Sequence, residues 1–240
     1  MQSHEITDRR PIASVFRQLG TLPVRWCVEF NVHPNTISIA SVVVSVAAAA
    51  CFLSAASVPM LGPLGVAFCL LRLYCNMLDG MVAIAASKAS ATGEIANELP
   101  DRISDVVVFA GAAYGMMCVP ALGMWCAILS LLVAYVGTLG KAVGVHRDFS
   151  GPMSKPWRMV LLSIGVVATS WQFAQPYAPS TVMAPITGLD IACLFIAIGC
   201  VVTFVRRSVR IIRATREKQC QLDAQASGSQ GCVVDEATSP

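Results

Sequence analysis

The chain has 240 residues, of which 55% are hydrophobic and only 13% are charged, and its formal net charge is +3. Soluble domains carry about 25% charged residues, so a water-soluble fold of this length could not cover so much apolar surface. A bilayer can accept that surface when the backbone is helical. We therefore expect an all-α fold, a polytopic membrane bundle of about six spans of roughly 20 residues each, and no nucleic-acid partner.

An N-terminal segment, residues 1–33, precedes the first long apolar run. It combines four arginines with scattered apolar side chains, a mixture typical of a helix that lies along the membrane surface. A loose arm is the alternative interpretation. The sequence His33-Pro34 then marks the boundary of the predicted bundle, which we place at residues 34–205.

Six apolar segments follow in the bundle, at residues 36–57, 61–86, 97–119, 122–140, 157–175 and 186–205. No internal sequence repeat is found, so an inverted-repeat transporter gains no support. Residues 206–240 begin with a basic flank, and the polar stretch beyond Glu217 predicts a disordered tail.

Basic residues outside the spans alternate in a regular way along the chain. The connections after the first, third and fifth spans contain no Lys or Arg, whereas both termini and the other two connections do. Because basic loops stay in the cytoplasm, this pattern places both termini on the cytoplasmic side.

Polar side chains gather near the predicted cytoplasmic ends of the second and third spans. On the second span they are Asn76 and Asp79, and on the third they are Asn97, Asp101 and Asp105, each set on one helical face. Inserting a carboxylate into a span costs about 3 kcal/mol on insertion scales, so such residues are rare in spans unless they have a functional or structural role. A short connection joins the two spans, so we expect antiparallel neighbours whose oxygens converge on a hard cation such as Mg²⁺, Mn²⁺ or Ca²⁺. Interhelical polar contacts are the alternative.

These residues belong to a longer pattern with fixed spacing. Asp79, Gly80, Ala83, Gly93 and Asp101 match, in identity and spacing, D-x-x-D-G-x-x-A-R, eight residues, G-x-x-x-D-x-x-x-D. That pattern is the signature of the CDP-alcohol phosphatidyltransferase family, which this chain resembles over roughly residues 30–205.

The chain departs from that signature at three positions. Asn76 and Asn97 stand where the family has Asp, and Ile84 stands where it has Arg. One branch of the family resembles this chain in having both Asn, but that branch keeps the Arg. Pro100, beside Asp101, removes a backbone donor and favours a helix start or a kink.

The resemblance implies a membrane transferase of phospholipid biosynthesis. Such an enzyme moves a phosphoalcohol group, usually phosphatidyl, from CDP-diacylglycerol or another CDP-alcohol to an alcohol acceptor and releases CMP. Asp101 would be the general base. Mg²⁺ or Mn²⁺ would lie among Asn76, Asp79, Asn97, Asp101 and Asp105. The nucleotide would contact Asn35, Asp79, Gly80, Ala83 and Gly93. A homodimer is also implied.

A basic segment follows the fourth span. Arg147, Lys155 and Arg158 could bind a phosphate on the acceptor, or they could only satisfy the positive-inside rule. Ile84 supports a second interpretation of the whole chain, a catalytically inactive family member that acts as a membrane scaffold or partner.

Overall fold

The structure, a computed structural model, describes residues 22–86, 91–116, 119–145, 151–175 and 186–227. The regular elements in these ranges are helices, with no strand among them. The all-α fold predicted from composition is confirmed. In chain order the helices are α1 over residues 22–29, α2 Pro34–Ser54, α3 Leu61–Ala85, α4 Ala91–Gly115, α5 Pro120–Ala142, α6 Lys155–Ala174 and α7 Gly188–Ser227.

Helices α2 to α7 correspond in order to the six predicted spans. Within the described residues, α2, α3, α5 and α7 are long and apolar enough to cross a membrane. Helix α4 carries charged residues that lower its hydropathy, and it begins at Ala91 rather than at Asn97. The chain is a helical membrane protein, as predicted, and six crossings stay a prediction.

The six long helices form a closed ring. Each packs against two neighbours, in the order α2, α3, α6, α7, α5, α4 and back to α2. The apolar core includes Phe52 of α2, Phe109 of α4, Leu162 of α6 and Ile196 of α7, all fully or almost fully buried.

Helix α2 lies between α3 and α4 and packs closely against both, so α3 and α4 meet over only a short stretch. Small residues explain this arrangement, because a Cβ on Gly111 of α4 would lie 2.6 Å from Ala49 of α2. The predicted side-by-side packing of the second and third spans is therefore limited, and side chains rather than backbones connect them.

The N-terminal helix α1 presents large apolar side chains outward. Leu22, Trp26 and Phe30 are exposed, whereas Val24 packs against the buried Val82 of α3. An exposed aromatic and aliphatic face suits a helix at a membrane surface. Residues 1–21 of the predicted N-terminal segment lie outside the described residues.

The C-terminal helix α7 continues past the bundle to Ser227. The prediction of a disordered tail beyond Glu217 is therefore wrong as far as Ser227, and residues 228–240 lie outside the described residues. This stretch contains three Gln, two Ala, one Lys and one Leu, which have high helix propensity. A hydrogen bond of 2.9 Å from Gln219 to Asp223, one turn later, adds to it.

Candidate active site

Asp79 lies near the C-terminal end of α3 with only 2% of its surface exposed. Its Oδ2 accepts a hydrogen bond of 2.6 Å from the hydroxyl of Ser38 on α2. Its Oδ1 is buried, and no donor among the described residues reaches it. A buried carboxylate oxygen without a partner is costly, so this atom has unused capacity for a cation.

Asp101 of α4 forms an ion pair with Lys155 at the start of α6. The Lys155 Nζ lies 2.5 Å from Asp101 Oδ2. Asp79 interacts electrostatically with both Asp101 and Lys155. The two carboxylates named by the signature therefore lie within electrostatic reach of each other, with one ammonium group acting on both.

Lys155 precedes the predicted fifth span and is largely enclosed. Burial lowers the pKa of its ammonium group from 10.5 to about 8, and attraction by Asp101 opposes that change. Asp101 is therefore the acid that stabilises the charged form of Lys155.

Asn76 and Asn97 line a cavity of about 370 Å³ beside this pair. The Oδ1 of Asn97 is buried and receives no hydrogen bond from the described part of the chain. Asp101 also lines the cavity, whereas Asp79 is not part of the lining and is hydrogen-bonded to Ser38. Three of the five predicted ligands thus share one cavity.

The rest of the cavity lining is strongly basic. Four cationic side chains line it, namely Arg102, Lys155, Arg158 and Arg207, against the carboxylates of Glu98 and Asp101. Glu98 forms an ion pair with Arg102 one turn later on α4. The lining therefore carries an excess of positive charge, which favours an anionic ligand.

Arg207 of α7 was not predicted from the sequence as a site residue. It is only 7% exposed, and its Nη1 donates a hydrogen bond of 3.2 Å to the carbonyl of Val133 on α5. In the sequence it is one of several arginines in the C-terminal flank. The available signal was its position at the very end of the sixth apolar run.

Asp105 is held by two arginines from other helices. Arg72 of α3 lies 2.6 Å from its Oδ1, and Arg158 of α6 lies 3.2 Å from its Oδ2. Arg72 also donates to the carbonyl of Asp101 at 3.1 Å. The charge of Asp105 is thus balanced by two buried cations, which distinguishes it from Asp79 with its unpaired oxygen.

The residues predicted to contact the nucleotide lie around the ends of α2, α3 and α4. Asn35, Gly80, Ala83 and Gly93 are all half-buried. A Cβ added to Gly80 would meet no described protein atom within 4 Å, so the packing itself does not require glycine there. Open space at this position is available to a ligand.

Ile84 is 69% exposed at the end of α3, where the signature has a cation. Arg147 lies outside the described residues, so its predicted role in phosphate binding stays a prediction. Pro100 lies inside α4 rather than at its first turn. It removes one backbone donor immediately before Asp101.

Several curated proteins are similar to this chain, although no family model matches it. Inner membrane protein YnbA of Escherichia coli (strain K12) is 24% identical over 159 residues, which cover 66% of this chain and 79% of that protein. Phosphatidylinositol phosphate synthase of Mycobacterium tuberculosis (strain ATCC 25618 / H37Rv) is 25% identical over 202 residues, covering 81% and 86% respectively.

Solved structures of the phosphatidylinositol phosphate synthase of Mycobacterium tuberculosis share the fold. The structure with CDP-DAG bound has a TM-score of 0.64 at 22% identity, covering 81% of this chain and 94% of that one. The structure in complex with manganese and citrate has a TM-score of 0.63 at 23% identity, covering 80% and 88%.

The chain is similar in sequence and in fold to phosphatidylinositol phosphate synthases, which are CDP-alcohol phosphatidyltransferases. The resemblance inferred from the sequence is thereby confirmed.

A divalent cation fits the oxygen-bearing residues that this chain has at the signature positions. The unpaired oxygens of Asp79 and Asn97 are the hard ligands that Mg²⁺ and Mn²⁺ prefer. Within the described ranges, however, no three His, Cys, Asp or Glu side chains converge as a metal cluster. The reason is chemical, because Asn76 and Asn97 offer a carbonyl oxygen but no charge where the family signature has Asp.

Proposed function

We propose that the chain transfers a phosphatidyl group from CDP-diacylglycerol to a phosphorylated alcohol and releases CMP, at the cytoplasmic face of the membrane. One observation carries this proposal. The carboxylates of Asp79 and Asp101 lie within electrostatic reach of each other, and Asp101 lines a cavity together with four cationic side chains. The acids suit phosphoryl transfer, and the cations suit an acceptor that bears its own phosphate.

Donor binding involves the ends of α2, α3 and α4. The open space over Gly80 lets the cytidine part of the donor approach the α3 backbone, with Ala83 and Gly93 beside it. A divalent ion held by Asn76, Asp79 and Asn97, on the same side of the site as Asp101, would neutralise charge on the donor diphosphate.

Asp101 acts as the general base. Its carboxylate accepts the proton of the acceptor hydroxyl, whose oxygen attacks the β-phosphorus of the donor, and the bond to CMP breaks. The ion pair with Lys155 fixes the orientation of this carboxylate at the cavity. Asp105 does not take part in the reaction and instead holds Arg158 in the cavity lining.

Acceptor selection is assigned to the basic lining. Lys155 and Arg158 were predicted for this role, and Arg207 joins them from α7. Guanidinium groups suit phosphate because their donors match two of its oxygens at once. An acceptor with a phosphate is therefore expected to react far better than its free alcohol.

The direct test is CMP release by purified protein in detergent. With CDP-diacylglycerol and Mg²⁺ or Mn²⁺, we expect CMP only in the presence of an acceptor and chiefly with phosphorylated alcohols such as glycerol phosphate. Chelation of the metal by EDTA should abolish the signal. No CMP release with any acceptor in a broad panel would contradict the proposal and favour an inactive member that serves as a membrane scaffold.

Substitution Gly80→Ala separates donor binding from folding. We expect unchanged or slightly raised stability, because alanine is favoured over glycine in a helix by about 1 kcal/mol and has space here. Affinity for CDP-diacylglycerol should fall at least tenfold, about 1.4 kcal/mol, if the donor packs on this backbone. Thermal unfolding and donor titration measure the two effects.

Gly111→Ala is the matched control for that substitution. Its new Cβ would lie 2.6 Å from Ala49, so this variant should lose stability instead. A Gly80→Ala protein that binds and turns over the donor as wild type does would remove Gly80 from the proposed nucleotide site.

A further inference from the structure

We infer that this site holds a single divalent ion, and that the Lys155 ammonium takes the place of a second one beside Asp101. The inference rests on the proposed function and concerns how this chain compensates for its two Asn. A site with four Asp can balance two divalent ions, whereas Asp79 and Asp101 together can balance one.

No other described carboxylate near the cavity is available to supply the missing charge. Asp105 is neutralised by Arg72 and Arg158, with all three side chains buried. Glu98 forms its ion pair with Arg102. The acids that could have replaced those lost at two signature positions are thus committed to arginines.

Lys155 already occupies the position that a cation would take at Asp101. Its Nζ lies 2.5 Å from Oδ2, in direct contact with a carboxylate oxygen that would otherwise be available to a metal ion. A divalent ion on the same carboxylate oxygen would lie against a like charge at short range, where repulsion in a poorly hydrated site is strong. The ammonium and a second ion are therefore mutually exclusive.

Among the described residues, two buried carboxylate or amide oxygens lack a donor, and together they account for one ion. They are Oδ1 of Asp79 and Oδ1 of Asn97. Asn76 lines the same cavity and can add a carbonyl ligand. The ion is therefore assigned to Asp79 and the two Asn, and Lys155 supplies the positive charge on the Asp101 side.

Manganese counting tests this assignment without relying on catalysis. Metal-free protein in detergent is titrated with Mn²⁺, and the electron paramagnetic resonance signal of the free ion gives the number bound. Wild type should bind one tight Mn²⁺ per chain. Asn76→Asp/Asn97→Asp should still bind one, and adding Lys155→Met to that pair should give two, with a spectrum showing coupling between ions.

The control Lys218→Met removes an exposed lysine that donates to the carbonyl of Gly144, and its count should remain one. Thermal unfolding verifies that each variant is folded. Two tight ions in wild type, or in the double Asp variant that keeps Lys155, would overturn the inference. So would a single ion in a folded triple variant.

Parallel measurement of CMP release distinguishes this inference from the proposed function. Two bound Mn²⁺ together with CMP release would overturn only the single-ion assignment. One bound Mn²⁺ without CMP release from any acceptor would overturn only the transferase proposal.

Discussion

Asp101→Asn is expected to lower CMP release by a factor of about a hundred to ten thousand, the range that a positioned general base contributes. The amide keeps the size of the side chain but cannot accept the proton of the acceptor hydroxyl. It also loses the charge that holds Lys155 at 2.5 Å. Initial rates at saturating CDP-diacylglycerol measure the effect on the chemical step.

The control for this variant is Asp223→Asn, the same chemical change at an exposed position on α7. It should leave both rate and stability as in wild type. Binding of CDP-diacylglycerol to Asp101→Asn should persist, because the nucleotide site over Gly80 is intact. Undiminished CMP release by Asp101→Asn would exclude this residue as the base.

The second large effect is on stability and concerns the buried ion cluster of Arg72, Asp105 and Arg158. Asp105→Asn should cost about 3–5 kcal/mol, the range for breaking a buried pair, because it leaves two arginines without their counter-charge. Arg72→Met should cost less, since Asp105 keeps its contact with Arg158. Thermal or denaturant unfolding in detergent would rank the two variants.

Two further variants test that ranking of stabilities. Arg213→Met, at an exposed position of α7, should change stability by less than about 0.5 kcal/mol. Replacing all three members of the cluster with apolar residues of similar size should recover most of the loss, because no buried charge is then unpaired. An Arg72→Met variant less stable than Asp105→Asn would contradict the assigned pairing.

Features set by local chemistry were predictable from the sequence. A bilayer requires long apolar helices, so the order and approximate limits of α2 to α7 followed from composition alone. The match at Asp79, Gly80 and Asp101 needed only spacing along two helices. These predictions succeeded because each depends on residues within a few turns of one another.

Pairings between distant helices were not predictable in the same way. Lys155 and Asp101 are distant in sequence, as are Arg158 and Asp105, and only the packing of the helices into a ring determines which cation pairs with which acid. The same closure brings Arg207 to the cavity and places α2 between α3 and α4. Periodicity along one helix contains no information about these choices.

The length of α7 has a mechanical consequence. At 1.5 Å per residue its 40 residues extend ~60 Å, about twice the thickness of a hydrocarbon core. Arg207 lies near the midpoint, so about 30 Å of continuous helix extends beyond the residue that lines the cavity. Because the helix is continuous, a tilt of this outer half also displaces the Arg207 guanidinium at the cavity.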